Sequence, residues 1–383
     1  MKKIFIIAGE SSGDYLAGRL MESIRCLCTD SIEFFGIGGP CMKKAGLREL
    51  FSINELSLIG IFEVLGKIFH LRRLINKTVD AVFAYSPDVV ITIDSSGFTH
   101  RVDKKIKKRS QTSPPIIHYV APPVWAWRGW RAKSMHKFID KLLVLLPFET
   151  ELFRRHGLET VFVGHPIATD ADFEKPSEQP LKNFKKSQGL SSGNRSIVLL
   201  PGSRQSELDR HLPILEKFAD LMEVNCSPVK FIMPTTESMK KKLEFSVVHW
   251  RTKPTVIADK SSKILAYYAS DLAIAASGTV TLELARTGIP SIIIYKTSLI
   301  TYAIVKFLIQ VKRVCLINIL AKQEVVPELL QNDCTGENIF QQAVTILKNP
   351  SKVAEQKKFF TEVMAQLTVD PDKAAIEVLK ICP

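Results

Sequence analysis

The chain reads as α/β, with two Rossmann-like domains whose parallel sheets face each other across a cleft. Three observations predict this. Short apolar runs alternate with helical patterns from end to end, as parallel strands joined by crossover helices require. A polar stretch from Asp170 to Asn194, with Pro176 and Pro180 among serines and lysines, interrupts the alternation near the middle. At 383 residues the chain exceeds one ordinary core. The expected domains are 1–168 and 169–370, with a terminal helix over 371–383 placed to return to the first domain.

The elements follow in order. Ile4–Ala8 is the first strand. The preceding Met1-Lys2-Lys3 gives it the look of a signal peptide, but the run is short and Glu10 and Asp14 follow at once. Further strands are predicted at Glu33–Gly36, Val89–Ile93, Ile116–Tyr119, Leu142–Leu146 and Val161–Val163. After the polar stretch they recur at Ile197–Leu200, Lys230–Met233, Thr255–Ile257, Leu272–Ala275 and Ser291–Tyr295, and helices close the chain from about Gly336. Ser291–Val311 is long enough to span a bilayer at ~20 residues, but Lys296 and Lys306 lie inside it. Charges there are costly, so it reads as a strand and then an amphipathic helix.

Composition narrows the class. Hydrophobic residues make up 46% and charged residues 24%, which describes a folded globular chain. A net charge of +13 points to an anionic partner: nucleic acid, an anionic membrane or a phosphorylated substrate. The seven cysteines and eight histidines are scattered without metal-ligand spacing, so neither a metal site nor a disulfide framework is expected.

Loops at the carboxyl ends of strands hold the candidate site, because ligands of such sheets bind there. Leu200-Pro201-Gly202-Ser203-Arg204 and Ala276-Ser277-Gly278-Thr279 each join a buried strand to a helix start. Helix starts present free N–H groups and partial positive charge, so this pair suits a diphosphate. Arg204 adds a planar fork, for which Glu207 competes. Glu283 suits the helix dipole or ribose hydroxyls. In the first half, Gly9-Glu10-Ser11-Ser12-Gly13-Asp14 and Gly36-Ile37-Gly38-Gly39-Pro40 are glycine-dense turns that admit close ligand approach or merely turn tightly. Asp94 ends an apolar strand and suits either a general base toward a hydroxyl or a cap on the next turn. Trp125, Trp127 and Arg128 lie in a segment with three of the four tryptophans, fit for a sugar or lipid, or for packing. Ile61–Arg73 and Leu299–Arg313 mix large apolar and basic side chains at helical spacing, as helices lying on an anionic bilayer do, and also as core helices with solvated lysines do.

Taken in order, these segments resemble the lipid-A-disaccharide synthase family, bacterial glycosyltransferases of the GT-B fold. The resemblance runs through Gly60–Leu65, His118-Tyr119-Val120, Leu146–Glu149, Val163–Pro166, Asn318-Ile319-Leu320 and Val326–Gln331 as well as the loops above. It implies condensation of UDP-2,3-diacylglucosamine with 2,3-diacylglucosamine 1-phosphate (lipid X), giving a β-1,6 disaccharide 1-phosphate and UDP. Asp94 matches the general base. Gly202, Ser203, Arg204, Ser277, Gly278, Thr279 and Glu283 match the donor side, with Asn318, Glu328 and Gln331 as further matches. Glu10, Ser11, Ser12, Gly13, Gly38, Gly39, Trp125, Trp127 and Arg128 fall on the acceptor side. No cofactor, metal or nucleic acid is implied. The resemblance implies a cytoplasmic enzyme peripheral to the inner membrane of a Gram-negative bacterium, and it leaves a homodimer possible. One departure stands out. After the matching Asp the family runs through Pro-Asp-Phe-Asn, whereas Asp94 is followed by Ser95-Ser96-Gly97-Phe98-Thr99.

Three rivals remain. A UDP-sugar 2-epimerase shares the architecture. A dinucleotide-dependent oxidoreductase lacks its glycine fingerprint here. A non-catalytic basic membrane-associated or nucleic-acid-binding protein would have no need of Asp94.

Overall fold

The computed structural model describes residues 1–57, 64–110, 112–123, 132–190, 193–226, 228–298 and 313–382. It divides into two compact units: Met1–Pro166 together with Leu367–Pro383, and Ile167–Gln366.

The first unit holds a seven-stranded sheet in the order β3-β2-β1-β4-β5-β6-β7. Its strands are β1 (Lys2–Ala8), β2 (Ile32–Gly38), β3 (Leu47–Ser52), β4 (Val89–Ile93), β5 (Ile116–Tyr119), β6 (Lys141–Val144) and β7 (Glu159–Phe162). Every recorded pairing is parallel. Both faces are covered, which is why the strands read as unbroken apolar runs. Ile4 and Ile6 pack with Met21, Ile24 and Val378 on one face; Phe5 and Ile7 pack with Leu74, Val82 and Val102 on the other.

The helix Lys373–Leu379 belongs to this unit and packs on the helix Ser11–Leu27. A buried ion pair fastens it: Lys141 Nζ lies 3.0 Å from Glu377 and 2.9 Å from Glu159. Burial opposes the lysine's charge, but the two carboxylates outweigh it and raise its pKa. Ser23 Oγ donates to Asp372 at 2.5 Å, and Lys2 Nζ to the Cys382 carbonyl at 2.9 Å.

The second unit repeats the plan with six parallel strands in the order β10-β9-β8-β11-β12-β13. These are β8 (Arg195–Leu200), β9 (Val229–Pro234), β10 (Thr255–Ile257), β11 (Leu272–Ala276), β12 (Ser291–Tyr295) and β13 (Glu328–Leu330). Ile197 and Leu199 pack against Leu215, Phe218 and Met222.

The structure adds to the sequence reading in three places. The polar stretch 170–194 contains a helix, Glu178–Ser187, whose Phe184 is buried. β3 and β13 lie at sheet edges and carry charged residues (Arg48, Glu49, Glu328), so no apolar run marked them. Among the described residues, no helix is long and apolar enough to cross a membrane. The expected amphipathic helix over Leu299–Arg313 lies almost wholly outside the described residues.

Candidate active site

In the first unit, the loops after β1, β2 and β4 form one hydrogen-bonded group at the carboxyl ends of the strands. Asp94 follows β4 in a left-handed backbone conformation, φ 51°, and Ser95 continues it at 46°. Two successive non-glycine residues there mark a held turn, a kind of strain that clusters at functional sites. Three bonds hold it: the Asp94 N–H donates to the Tyr119 carbonyl at 2.9 Å, the Ser95 N–H to Asp94 Oδ1 at 2.7 Å, and Thr99 Oγ1 to the Asp94 carbonyl at 2.8 Å. Asp94 Oδ2 faces Ser12 Oγ at 3.5 Å and the side chain is half-buried. A Cβ on Gly9 would collide with the Ser95 side chain, so glycine is what lets the first loop reach the Asp94 turn.

The departure after Asp94 now has a structural meaning. Within that stretch Thr99 is buried, and its hydroxyl braces the turn that carries Asp94. Gly97 is exposed.

Glu10, Ser11 and Ser12 are exposed at the start of the helix Ser11–Leu27, next to Asp94. The glycines have an internal reason. Gly13 packs beneath Ile93, Gly38 admits Met42, and Gly39 admits the Asp14 carboxylate. Asp14 is 3% exposed and accepts the N–H groups of Gly39 (2.7 Å), Cys41 (3.0 Å) and Met42 (3.1 Å). It thus ties the loop after β1 to the loop after β2 and caps the short helix Pro40–Lys44. Trp125, Trp127, Arg128 and the segment Gly60–Ile61–Phe62–Glu63 lie outside the described residues.

Beneath Asp94 lies a buried polar cluster that sequence reasoning missed. Thr92 Oγ1 touches Asp103 Oδ2 (3.2 Å) and His118 Nδ1 (2.8 Å), and His118 Nε2 faces His100 Nε2 at 3.3 Å. Burial pushes the Asp103 carboxyl well up and, with help from His100, the His118 imidazole well down.

In the second unit, a cavity of about 410 Å³ opens at the carboxyl ends of β8, β9 and β11. Gly202, Ser203, Arg204, Ser277, Gly278, Thr279 and Glu283 all line it, as do Glu207, Thr235, Thr236 and Lys263. The two loops differ. Glu207 Oε2 accepts the N–H groups of Ser203 (3.0 Å) and Arg204 (3.2 Å), so the first loop's amides are already held by a carboxylate. Gly202, at φ 113°, leaves the room this needs. The Arg204 guanidinium is 80% exposed and 3.9 Å from Glu207, too loose to be claimed by it. The second loop has no side-chain cap at the helix Val280–Thr287, and Ser277 Oγ donates to the Val314 carbonyl at 3.1 Å.

Glu283 is gripped by two groups absent from the sequence reading. Lys263 Nζ lies 2.6 Å from its Oε2, and the Tyr267 hydroxyl donates to the same oxygen at 3.0 Å. Burial and the carboxylate raise the Tyr267 pKa, so the phenol stays a donor. Only tertiary proximity pairs these residues; no motif does.

Asn318, Glu328 and Gln331 do not line the cavity. Asn318 is fully buried, gives its amide protons to the Val326 carbonyl and Glu328, and accepts from the Val325 and Val326 N–H groups. Glu328 accepts from the Val314 and Cys315 N–H groups, and Gln331 from that of Thr297. Together these bonds hold the chain around the loop. Among the described residues, no group of three or more His, Cys, Asp or Glu side chains is set to hold a metal ion.

Residues 4–379 match the family model described as lipid-A-disaccharide synthetase. The chain belongs to that family. It is 37% identical over 379 residues to the lipid-A-disaccharide synthase of Rhodospirillum centenum, covering 98% of this chain and 93% of that one. It is 39% identical over 360 residues to that of Ruegeria pomeroyi, covering 92% and 88%. Among solved structures it resembles a UDP-GlcNAc 2-epimerase from Neisseria meningitidis bound to UDP-GlcNAc, with a TM-score of 0.64 at 10% identity over 99% of each chain. That likeness extends to the fold alone. The chain is a GT-B glycosyltransferase of lipid A disaccharide synthesis, and the epimerase rival rests only on shared architecture.

Proposed function

We propose that the enzyme transfers the diacylglucosaminyl group of UDP-2,3-diacylglucosamine to 2,3-diacylglucosamine 1-phosphate with inversion. Asp94 takes the proton of the acceptor hydroxyl as that oxygen bonds to the donor's anomeric carbon. The bond from that carbon to the diphosphate oxygen breaks, and its electron pair leaves with UDP. The departing charge rests on the uncapped Ser277–Thr279 loop and the exposed Arg204 guanidinium. Glu283, held by Lys263 and Tyr267, takes the ribose hydroxyls. The observation that carries this reading is the open helix start beside an exposed guanidinium and an anchored carboxylate, in one cavity, in a chain of this family.

We further infer that the enzyme works at the cytoplasmic face of the inner membrane. Phe69 is 69% exposed on the helix Val64–Tyr85, with Arg72, Arg73 and Lys77 also exposed. An apolar side chain among cations suits an anionic bilayer surface.

The test is to incubate the full chain in detergent with radiolabelled lipid X and the UDP-diacylglucosamine donor. A disaccharide 1-phosphate and UDP are expected in equal amounts. No disaccharide, or a donor merely epimerised at C2, would overturn the proposal.

A further inference from the structure

The second unit has another cavity, of about 680 Å³, at the amino ends of its strands. Arg195, which begins β8, lines it, as do Asp271 just before β11 and Pro290 just before β12. The reaction above has no use for it.

Its wall is strongly cationic. Lys175, Arg195, Arg286 and Lys357 face a single carboxylate, Asp271, whose Oδ2 already accepts the Ser196 N–H at 2.9 Å. None of the four cations is in an ion pair among the described residues. Arg286 is the least exposed of the four. It sits in the last turn of the helix Val280–Thr287, and its buried Nε has no hydrogen-bond partner. That atom is shut off from the open space of the cavity, so a ligand meets the remaining nitrogens of the guanidinium fork. The rest of the wall is apolar and aromatic, with Tyr268, Leu347, Phe360 and Met364.

We propose that this cavity binds a phosphomonoester carried on a small apolar body. Phosphate oxygens match the guanidinium forks of Arg286 and Arg195, Lys175 and Lys357 balance the remaining charge from the rim, and the apolar body lies against Phe360 and Met364. The cavity flanks the end of the helix Val280–Thr287, whereas the donor cavity flanks its beginning. Tyr267 lines this cavity, and its hydroxyl holds Glu283 of the donor cavity.

Calorimetry on the full chain, saturated with UDP, tests this with phenyl phosphate as probe and phenol as its phosphate-free control. Phenyl phosphate binds saturably and phenol does not. Arg286→Gln weakens the ester about tenfold. Arg195→Gln, an exposed change that spares the fold, weakens it about threefold. Co-sedimentation with phosphatidic acid vesicles locates the ester's source: a loss in Arg286→Gln places it on a lipid headgroup, and unchanged sedimentation places it in solution. Two results would overturn the site: no saturable heat with UDP present, or saturable binding that neither variant alters.

Discussion

The two units place a carboxylate at equivalent points and use it differently. β1 and β8 hold matching positions in their sheets, and each runs through a glycine turn into a helix with an acid near its start. Asp14 reaches away from its own loop, accepts three N–H groups of the next one, and is buried. Glu207 folds back onto its own loop, accepts two, and stays at the cavity wall. The first arrangement makes a rigid platform beside Asp94. The second leaves a carboxylate within reach of any anion that enters. Similar sequence patterns on one fold thus tie two loops together in one unit and close one loop on itself in the other.

The largest expected effect tests the platform's purpose. Asp94→Asn lowers kcat by about 10²–10⁴-fold with little change in either KM; a loss under tenfold would remove Asp94 as the base. Asp14→Ala leaves three N–H groups without their acceptor and costs about 3 kcal/mol, read by denaturant unfolding, and a smaller loss would make Asp14 no more structural than Glu207. Glu283→Gln raises the donor KM about tenfold at nearly constant kcat. If acceptor KM rises instead, the cavity in the second unit is not the donor's. Glu207→Gln sharpens the contrast most finely. It keeps one oxygen acceptor but removes the charge, so stability falls by less than about 1 kcal/mol and donor KM drops two- to threefold, roughly what loss of a partly exposed charge yields. An unchanged KM would mean Glu207 is only a cap.

Acid separates the units least. Burial holds His165 down to about 4 and lowers His211 and His118 as well. Below about 6.5 the unfolded chain takes up protons that these folded histidines refuse, so stability falls as pH drops from there toward about 4. Asp103 opposes them in the same window, because its raised pKa keeps a proton that the unfolded chain loses. The three histidines outnumber it, so the net slope keeps their sign. A slope of opposite sign between pH 5 and 6 would contradict this assignment.

Much of the fold was legible because buried parallel strands are apolar on both faces. β1, β4, β8 and β11 therefore stood out in the sequence. β3 and β13 did not, since an edge strand is half-solvated and keeps its charges. The candidate site was legible where backbone shape demands particular residues: Gly9, Gly202 and the loop Ser277–Thr279 mark strand-to-helix turns. It was illegible where a role depends on what lies opposite. Asn318 and Glu328 matched the family by spacing alone; in the fold Asn318 donates to the Val326 carbonyl and the Glu328 carboxylate, and Glu328 accepts the Val314 N–H.

By itself the sequence determined the class of fold, the carboxyl-terminal loops and, through its ordered motifs, the family. Those properties are local: strand periodicity, turn chemistry and spacing are written in adjacent residues. Tertiary structure decided that Lys263 and Tyr267 anchor Glu283, that Thr99 braces Asp94, that Asp14 joins two loops, and that the terminal helix docks on Lys141. Each of these joins side chains to groups far away along the chain or across a turn. A charge or hydroxyl acquires its role only from the partner that folding brings within hydrogen-bonding distance.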